Sequence, residues 1–567
     1  MQGAERSWMP PSSTLLLAFA SAGAFALSFP LSETFVAGWP LTFVWPALLA
    51  IAAATAPSWR SVLVSVFPAF YAAFLAHQWW MREITEVGMP ILVGYLAAWT
   101  TVLALLIRWL AGPRRRQGDA DGATGSMPCM LAVPLALVAV EFFRGDVVCS
   151  GYAWFFAAHP LVEWPAIAWI ASIGGGWLLS AAAGFVGGAI ADFVLGPRFM
   201  RVVAPGALAL LAAIIGLRAM IATPAATSDD AAKARFLLVQ TNLPMSNKLG
   251  WAPQDQIDDF VDFAKLTLEG VREANGSVDA VVWPETMVPG FGLEPESLRT
   301  LVDQGLFPRD RFDEALRDLS SMADAPLIVG SPAFLGLRVE GNRFVWEKQF
   351  NSAYLVDKAG KQGRTDKIFL TPFGETMPVI SNWDWLEQEL LAIGASGMTF
   401  DLDVAAAPER FTLETAAGQV RVGVPICFEI TAPWASRRIA FDNDGRAADV
   451  LVNISNDGWF GYSGAGRRQH LQVAQLRAIE LATPVVRAAN TGMSASISAS
   501  GRVLAVLPSN KAGNLVAEVV PAASGRGEPY AVLVGDMVAW GASLSIVLVL
   551  VARRRPARQS HAGRRAD

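Results

Sequence analysis

The chain has 567 residues, 53% of them hydrophobic and only 17% charged, with 20 tryptophans. That balance does not suit a soluble enzyme and points to membrane spans, in a chain too long for one ordinary domain. A net charge of −5 offers no footing for nucleic acid, and the wide spacing of Cys129, Cys149 and Cys427 excludes a disulfide framework.

Residues 13–223 are apolar runs broken by Pro, Gly and short charged patches. The spacing predicts spans near 13–29, 40–56, 61–80, 88–110, 128–144, 165–194 and 203–223, with a last one at 530–552. Each is close to the ~20 residues a bilayer requires, so about eight helices are expected. The run at 13–29 reads as a span and not as a cleaved signal, because further spans follow at once.

Basic residues segregate between the connecting loops. Arg6, Arg60, Arg114–Arg116, Arg198, Arg201 and Arg553–Arg555 alternate with loops around Glu33, Glu83 with Glu86, and Asp146, which are poor in Arg and Lys. By the positive-inside rule the basic loops are cytoplasmic and the polar segment faces the periplasm. The expected organisation is a membrane domain of about seven helices at 1–225, a polar domain at 231–525, a C-terminal helix at 530–552 and a cytoplasmic basic tail at 553–567.

Within the polar domain, strand-like runs at 235–242, 279–285, 326–331, 350–356, 420–427, 448–456 and 485–498 alternate with helical patterns at 254–274, 310–322 and 466–482. Such alternation predicts an α/β layered fold. Three polar sites fall at predicted strand ends. VVWPETMVP leaves Glu285 after an apolar run, RTDKIFLTPFGE holds Lys367 with Glu375 eight residues on, and GVPICFEI supplies Cys427 with Glu429 behind it. Taken singly, each has a bland explanation: a buried thiol, or a surface carboxylate or lysine. Together they supply what thiol chemistry needs. A thiol with an ordinary pKa near 8.5 is mostly protonated at neutral pH; Glu285 suits the base, and Lys367 suits both the thiolate and a developing oxyanion. Backbone N–H groups from Phe428 onward complete an oxyanion site.

Other chemistries find little support. His77, His159, His470 and His561 form no HExxH or other ligand spacing, so no metal is expected. His470 opens a helical pattern and suits a structural hydrogen bond. GYSGAG at 461–466 is not GxSxG, and no phosphate loop appears, so no cofactor is expected.

WPE, DKxxLxPFGE and GxxICFE, followed by NISNDGWFG and RAANTGMSASI, resemble in order the motifs of the nitrilase superfamily. The placement among apolar runs, with EFFRGDVVCSGYAWFFAAHP at 141–160, resembles its membrane-embedded apolipoprotein N-acyltransferase branch over about residues 10–552. The resemblance implies an α-β-β-α sandwich and a Glu–Lys–Cys triad, with Glu285 as base, Lys367 stabilising the oxyanion and Cys427 accepting the acyl chain. It implies supporting roles for Glu375, Glu429 and Phe428, and a lipid-facing pocket with Trp251, Asn351, Trp459 and Phe460. Phe428 stands where a tyrosine is frequent, and Asp366 where an aromatic residue or histidine often precedes the lysine.

The substrates so implied are a glycerophospholipid acyl donor and a diacylglyceryl-modified lipoprotein acceptor, met at the bacterial inner membrane. A membrane-tethered amidase or nitrilase using the same triad is the enzymatic alternative, and a non-catalytic scaffold the other. Residues 381–400 place Trp383, Leu386 and Leu390 at helical spacing beside Trp385 and Leu391. That pattern fits either a helix packing into the domain or an interfacial lid, with Trp383 and Trp385 as lipid contacts.

Overall fold

The structure, a computed structural model, describes residues 10–112, 127–221, 232–244, 251–306, 309–341, 343–377, 402–522 and 529–554. Trp383 and Trp385, with the rest of the proposed lid, lie outside the described residues.

Among the described residues, four helices are long and apolar enough to cross a membrane: Trp59–Glu83, Gly88–Ala111, Ala171–Leu195 and Met200–Arg218. Three shorter apolar helices are Ser12–Ser28, Trp39–Thr55 and Met537–Arg553, and Cys129–Phe142 has 14 residues. The expected spans, about eight and each of ~20 residues, therefore resolve into long and short helices, of which four have membrane-crossing length and apolarity among the described residues. The run at 165–194 differs most. Pro165–Ala168 forms a separate turn, and the long helix begins at Ala171 and is kinked at Gly174 and Gly175, where Gly175 has φ +67°. Glycine meets that left-handed conformation without steric cost. The kink frees the Gly176 N–H, which donates to Glu480 of the polar domain.

The polar domain is a two-sheet sandwich. Its strands are β1 (Ala234–Gln240), β2 (Ala280–Val282), β3 (Leu327–Leu335), a hairpin of β4 (Arg338–Glu340) and β5 (Arg343–Val345), β6 (Lys348–Asp357), β7 (Gly360–Asp366), β8 (Arg410–Thr415) and β9 (Gly418–Gly423). There follow a short hairpin of β10 (Phe441–Asp442) and β11 (Gly445–Arg446), then β12 (Val450–Ser455), β13 (Val485–Ala489), β14 (Ser494–Ile497), β15 (Val503–Leu507) and β16 (Gly513–Val519). One sheet runs β16-β1-β2-β3-β6-β7 and the other β15-β14-β13-β12-β9-β8.

Side-chain alternation explains the layering. Phe236, Leu238, Val282 and Ile328 of the first sheet meet Val422, Val452, Ile454 and Val486 of the second in a shared core. The alternate residues Leu237, Val239, Val281 and Val329 face outward with Phe260, Phe263 and Phe312 of helices Pro253–Glu273 and Phe312–Ala323. On the other side Leu451, Val485 and Ile497 meet Ala435 and Ile439 of helix Pro433–Ala440 and Leu471 and Ala474 of helix Gly464–Leu481. The order is α-β-β-α.

Helix Gly464–Leu481 also joins the two parts of the molecule. Leu476 and Ile479 belong to the apolar core of the membrane helices. Arg468 pairs with Glu163 at 2.7 Å, and Arg437 of the neighbouring helix pairs with Asp536 at 2.9 Å.

Candidate active site

Glu285 lies three residues beyond β2, Lys367 directly after β7, and Cys427 four residues beyond β9. The loop at Glu285 crosses very close to β3: a Cβ on Gly330 would stand 2.6 Å from Glu285 Cα, so glycine alone permits the crossing. Cys427 has φ +52°, a left-handed conformation that costs a non-glycine residue about 1–2 kcal/mol. Its turn is braced by Glu429, which is buried. One Glu429 oxygen accepts from Ile426 N at 2.8 Å, and the other from Ile368 N at 2.6 Å and Phe369 N at 3.1 Å. One carboxylate thus ties the thiol's turn to the loop that follows Lys367.

Lys367 is fully buried, and its Nζ donates to Glu375 Oε2 at 2.6 Å and lies 4.0 Å from Glu285 Oε1. Asn351 of β6 bridges the two acids, its amide donating to Glu285 Oε1 at 2.8 Å and Glu375 Oε1 at 3.0 Å. Glu285 Oε2 accepts from Asn456 N at 2.8 Å. Burial alone would pull the lysine down, but the charges of Glu375 and then Glu285 outweigh it and hold the ammonium above its ordinary range. Burial opposes ionisation of Glu375, and the Lys367 charge reverses that. The Cys427 thiol is pushed up, first by its low-dielectric surroundings and then by the Glu285 charge, with Lys367 pulling the other way. The resting thiol is neutral, and a base must take its proton when it reacts.

Behind the thiol, Ser455 Oγ lies 3.5 Å from Cys427 Sγ and 2.7 Å from Asp457 Oδ1. The N-terminal helical region contributes aromatic rings around Phe428, the residue after the thiol. Trp154 lies nearly parallel to Phe428 (centroids 6.1 Å, 8°), with Tyr152 and Phe369 against the same ring at 6.0 and 6.2 Å. Trp154 Nε1 donates to Gln469 Oε1 at 2.6 Å, and Trp80 meets Phe460 edge-on at 4.9 Å. The loop carrying Tyr152 and Trp154 has positive φ at Cys149, Ser150, Gly151 and Phe155. It is held by Glu141, which accepts from Ala157 N at 2.7 Å, and by Arg144, which donates to the carbonyls of Tyr152 and Phe155.

The structure brings Glu285, Lys367, Glu375 and Asn351 together by direct contact and sets Cys427 and Glu429 beside them. Phe428 and Phe460 pack against the membrane core, and Trp459 is half-buried in the turn Asp457–Phe460. Trp251 is placed differently: it bonds Asp259 at 2.8 Å and packs at the edge of the core outside the first sheet. Asn351 acts as a bridge between acids, and Asp366 accepts from Ser352 at 2.6 Å. His470 Nδ1 lies 3.2 Å from Asp457, the kind of contact its helical pattern suggested. Tyr152, Trp154 and Ser455 are site residues that sequence reasoning missed; the aromatic density of 152–156 inside the 141–160 motif is the one signal that marks two of them.

Two families match the chain: Carbon-nitrogen hydrolase over residues 252–526 and Apolipoprotein N-acyltransferase N-terminal domain over residues 21–189. Among curated proteins, the apolipoprotein N-acyltransferase of Azotobacter vinelandii is 30% identical over 87% of this chain and 87% of its own length. The protein of that name from Sinorhizobium medicae is 30% identical over 77% of this chain and 73% of its own. That from Geobacter metallireducens is 29% identical over 83% and 81%.

Proposed function

Since the chain belongs to the apolipoprotein N-acyltransferase family, we propose that the acyl chain it transfers passes through Cys427. The donor is a glycerophospholipid. Glu285 takes the thiol proton as sulfur attacks the ester carbonyl, and Lys367 with the Phe428 N–H neutralises the oxyanion. Collapse expels the lysophospholipid alkoxide, which recovers the proton from Glu285, and leaves a thioester. The α-amine of an S-diacylglyceryl-cysteine then attacks, giving its proton to Glu285. The amide forms and the departing thiolate is reprotonated.

One observation favours lipid substrates over a soluble C–N substrate. The ring directly after the nucleophile is stacked on Tyr152 and Trp154 of the membrane domain, so apolar surface from the helices forms part of the site wall. In this reading the eight apolar helices among the described residues are all spans of the bacterial inner membrane. The domain at 231–525 faces the periplasm, and Trp459, Phe460, Trp383 and Trp385 meet acyl chains.

The test uses phospholipid alone. It should yield about one lysophospholipid per enzyme and leave Cys427 acylated by mass spectrometry. Continuous release of free fatty acid would make the protein a hydrolase instead.

A further inference from the structure

Ser455 ends β12 with its hydroxyl between Cys427 Sγ at 3.5 Å and Asp457 Oδ1 at 2.7 Å. A serine has one proton to give and two lone pairs. The competition is settled by what stands behind Asp457. The Arg487 guanidinium, fully buried, donates to Asp457 Oδ1 at 2.8 Å and Oδ2 at 2.6 Å, and His470 Nδ1 lies 3.2 Å from Oδ1. Arg487 also donates to Asn453, whose amide reaches Pro425 O at 2.9 Å, two residues before the thiol. Asp457 is therefore an anion, held well below the usual carboxylate range by Arg487 and then His470 against its burial. A short bond to a carboxylate outcompetes a long one to a neutral thiol. The Ser455 proton belongs to Asp457, and the Ser455 lone pairs face sulfur.

We propose that Ser455 is a positioning residue that parks the nucleophile: its oxygen accepts the Cys427 S–H while its own proton stays on Asp457. This rests on the reading of Cys427 as the acyl carrier and adds what that reading lacks, a partner for the thiol proton before substrate arrives. In the resting enzyme the S–H points to Ser455; when the carbonyl of the donor enters, the S–H bond breaks toward Glu285 and the proton forms the acid's O–H. The titratable and charged groups around the sulfur are Glu285 after β2, Lys367 after β7 with Glu375 behind it, Glu429 on its own turn, and Asp457, His470 and Arg487 behind Ser455. Ser455→Ala leaves all of them in place, so the change it reports is the hydroxyl's.

The experiment is the pH dependence of Cys427 alkylation by iodoacetamide in the full-length, detergent-solubilised protein, read by peptide mass spectrometry. Ser455 stabilises the neutral thiol, so Ser455→Ala should move the alkylation midpoint to lower pH by about half a unit to one unit. Ser455→Thr, which keeps the hydroxyl, should restore it. An upward shift would mean that Ser455 donates to the thiolate, and an unchanged midpoint that it does not touch the proton; either overturns the proposal. Infrared difference spectra of the unmodified protein against Cys427→Ala supply a reading that no folding defect at Ser455 can disturb. The S–H band should be that of a hydrogen-bonded donor, and a free S–H band would also overturn the proposal. Both measurements follow the thiol alone, so they keep their meaning even if Cys427 proves not to carry an acyl chain.

Discussion

Lys367 is held by Glu375 at 2.6 Å and kept 4.0 Å from Glu285. The arrangement gives the ammonium one partner and leaves the other acid to Asn351 and the Asn456 N–H. Removing the Glu375 charge frees Lys367 to close on Glu285, and a base clamped by an ammonium takes protons poorly. Glu375→Gln should therefore lower kcat by roughly 10- to 100-fold with the protein still folded in the membrane. Glu285→Ala, Lys367→Ala and Cys427→Ala should each abolish transfer. Turnover of Glu375→Gln at the wild-type rate would show that Lys367 needs no second acid.

Glu429 predicts a pH signature. Burial raises its pKa to about 7, against three backbone N–H donors and Lys367 that favour the anion. The folded protein thus holds a proton that the unfolded chain releases near 4.3. Stability from this group is present below that unfolded value and is lost as pH rises from there to about 7, by roughly 4 kcal/mol. Glu429→Gln lacks the titration, and its amide cannot accept from all three N–H groups, which costs roughly 1–3 kcal/mol. Thermal melts across this window should show the wild-type Tm falling with pH relative to the variant. Parallel curves would mean that Glu429 is ionised throughout.

Much of this site was legible because its parts are local in sequence. WPE, DKIFLTPFGE and ICFE each place a reactive group within a few residues of an apolar strand, where alternation reveals the strand's end. What stayed hidden depends on contacts across long separations. Trp154 meets Gln469 from 315 residues away, and Asn351 meets Glu285 from 66, so neither partnership leaves a periodic trace. The strand run at 485–498 looked continuous, whereas the structure breaks it into β13 and β14 around Asn490, which bonds Leu243 and Asn456. The helix pattern at 165–194 holds from Ala171 to Leu195, and what it did not show, the kink at Gly174 and Gly175, has a similar reason: it frees the Gly176 N–H for Glu480, which lies 304 residues away.

The stacked pair Trp154 and Phe428 tests the link between membrane helices and site. Trp154→Ala removes the parallel ring and the bond to Gln469 and opens the wall beside the nucleophile. Reaction with phospholipid should fall by at least about 10-fold, while alkylation of Cys427 by a small reagent should not slow. Loss of both together would mark the tryptophan as a purely structural support.

Topology can be read directly. Fusion reporters near residues 117 and 560 should report cytoplasm, and one near 310 periplasm, because loops rich in Arg alternate along the chain with loops poor in Arg and Lys. A cytoplasmic signal at 310 would reverse the orientation and separate the site from exported lipoproteins.

The second half-reaction offers the sharpest separation of transferase from hydrolase. In the proposed mechanism the thioester on Cys427 must be kept from water until an amine arrives, and the aromatic rings of Tyr152, Trp154 and Phe369 around Phe428 are suited to excluding it. Adding a diacylglyceryl peptide with a free N-terminal amine should discharge the enzyme and give an amide; the N-acetylated peptide should leave the thioester intact. Only the neutral amine attacks, and an α-amino group has a pKa of roughly 7.7–8.0. The discharge rate, measured by quenching the preformed acyl-enzyme, should therefore rise about tenfold per pH unit below that value and level off above it. A rate independent of both pH and the free amine would mean that water is the acceptor, and the transferase assignment of this site would fall.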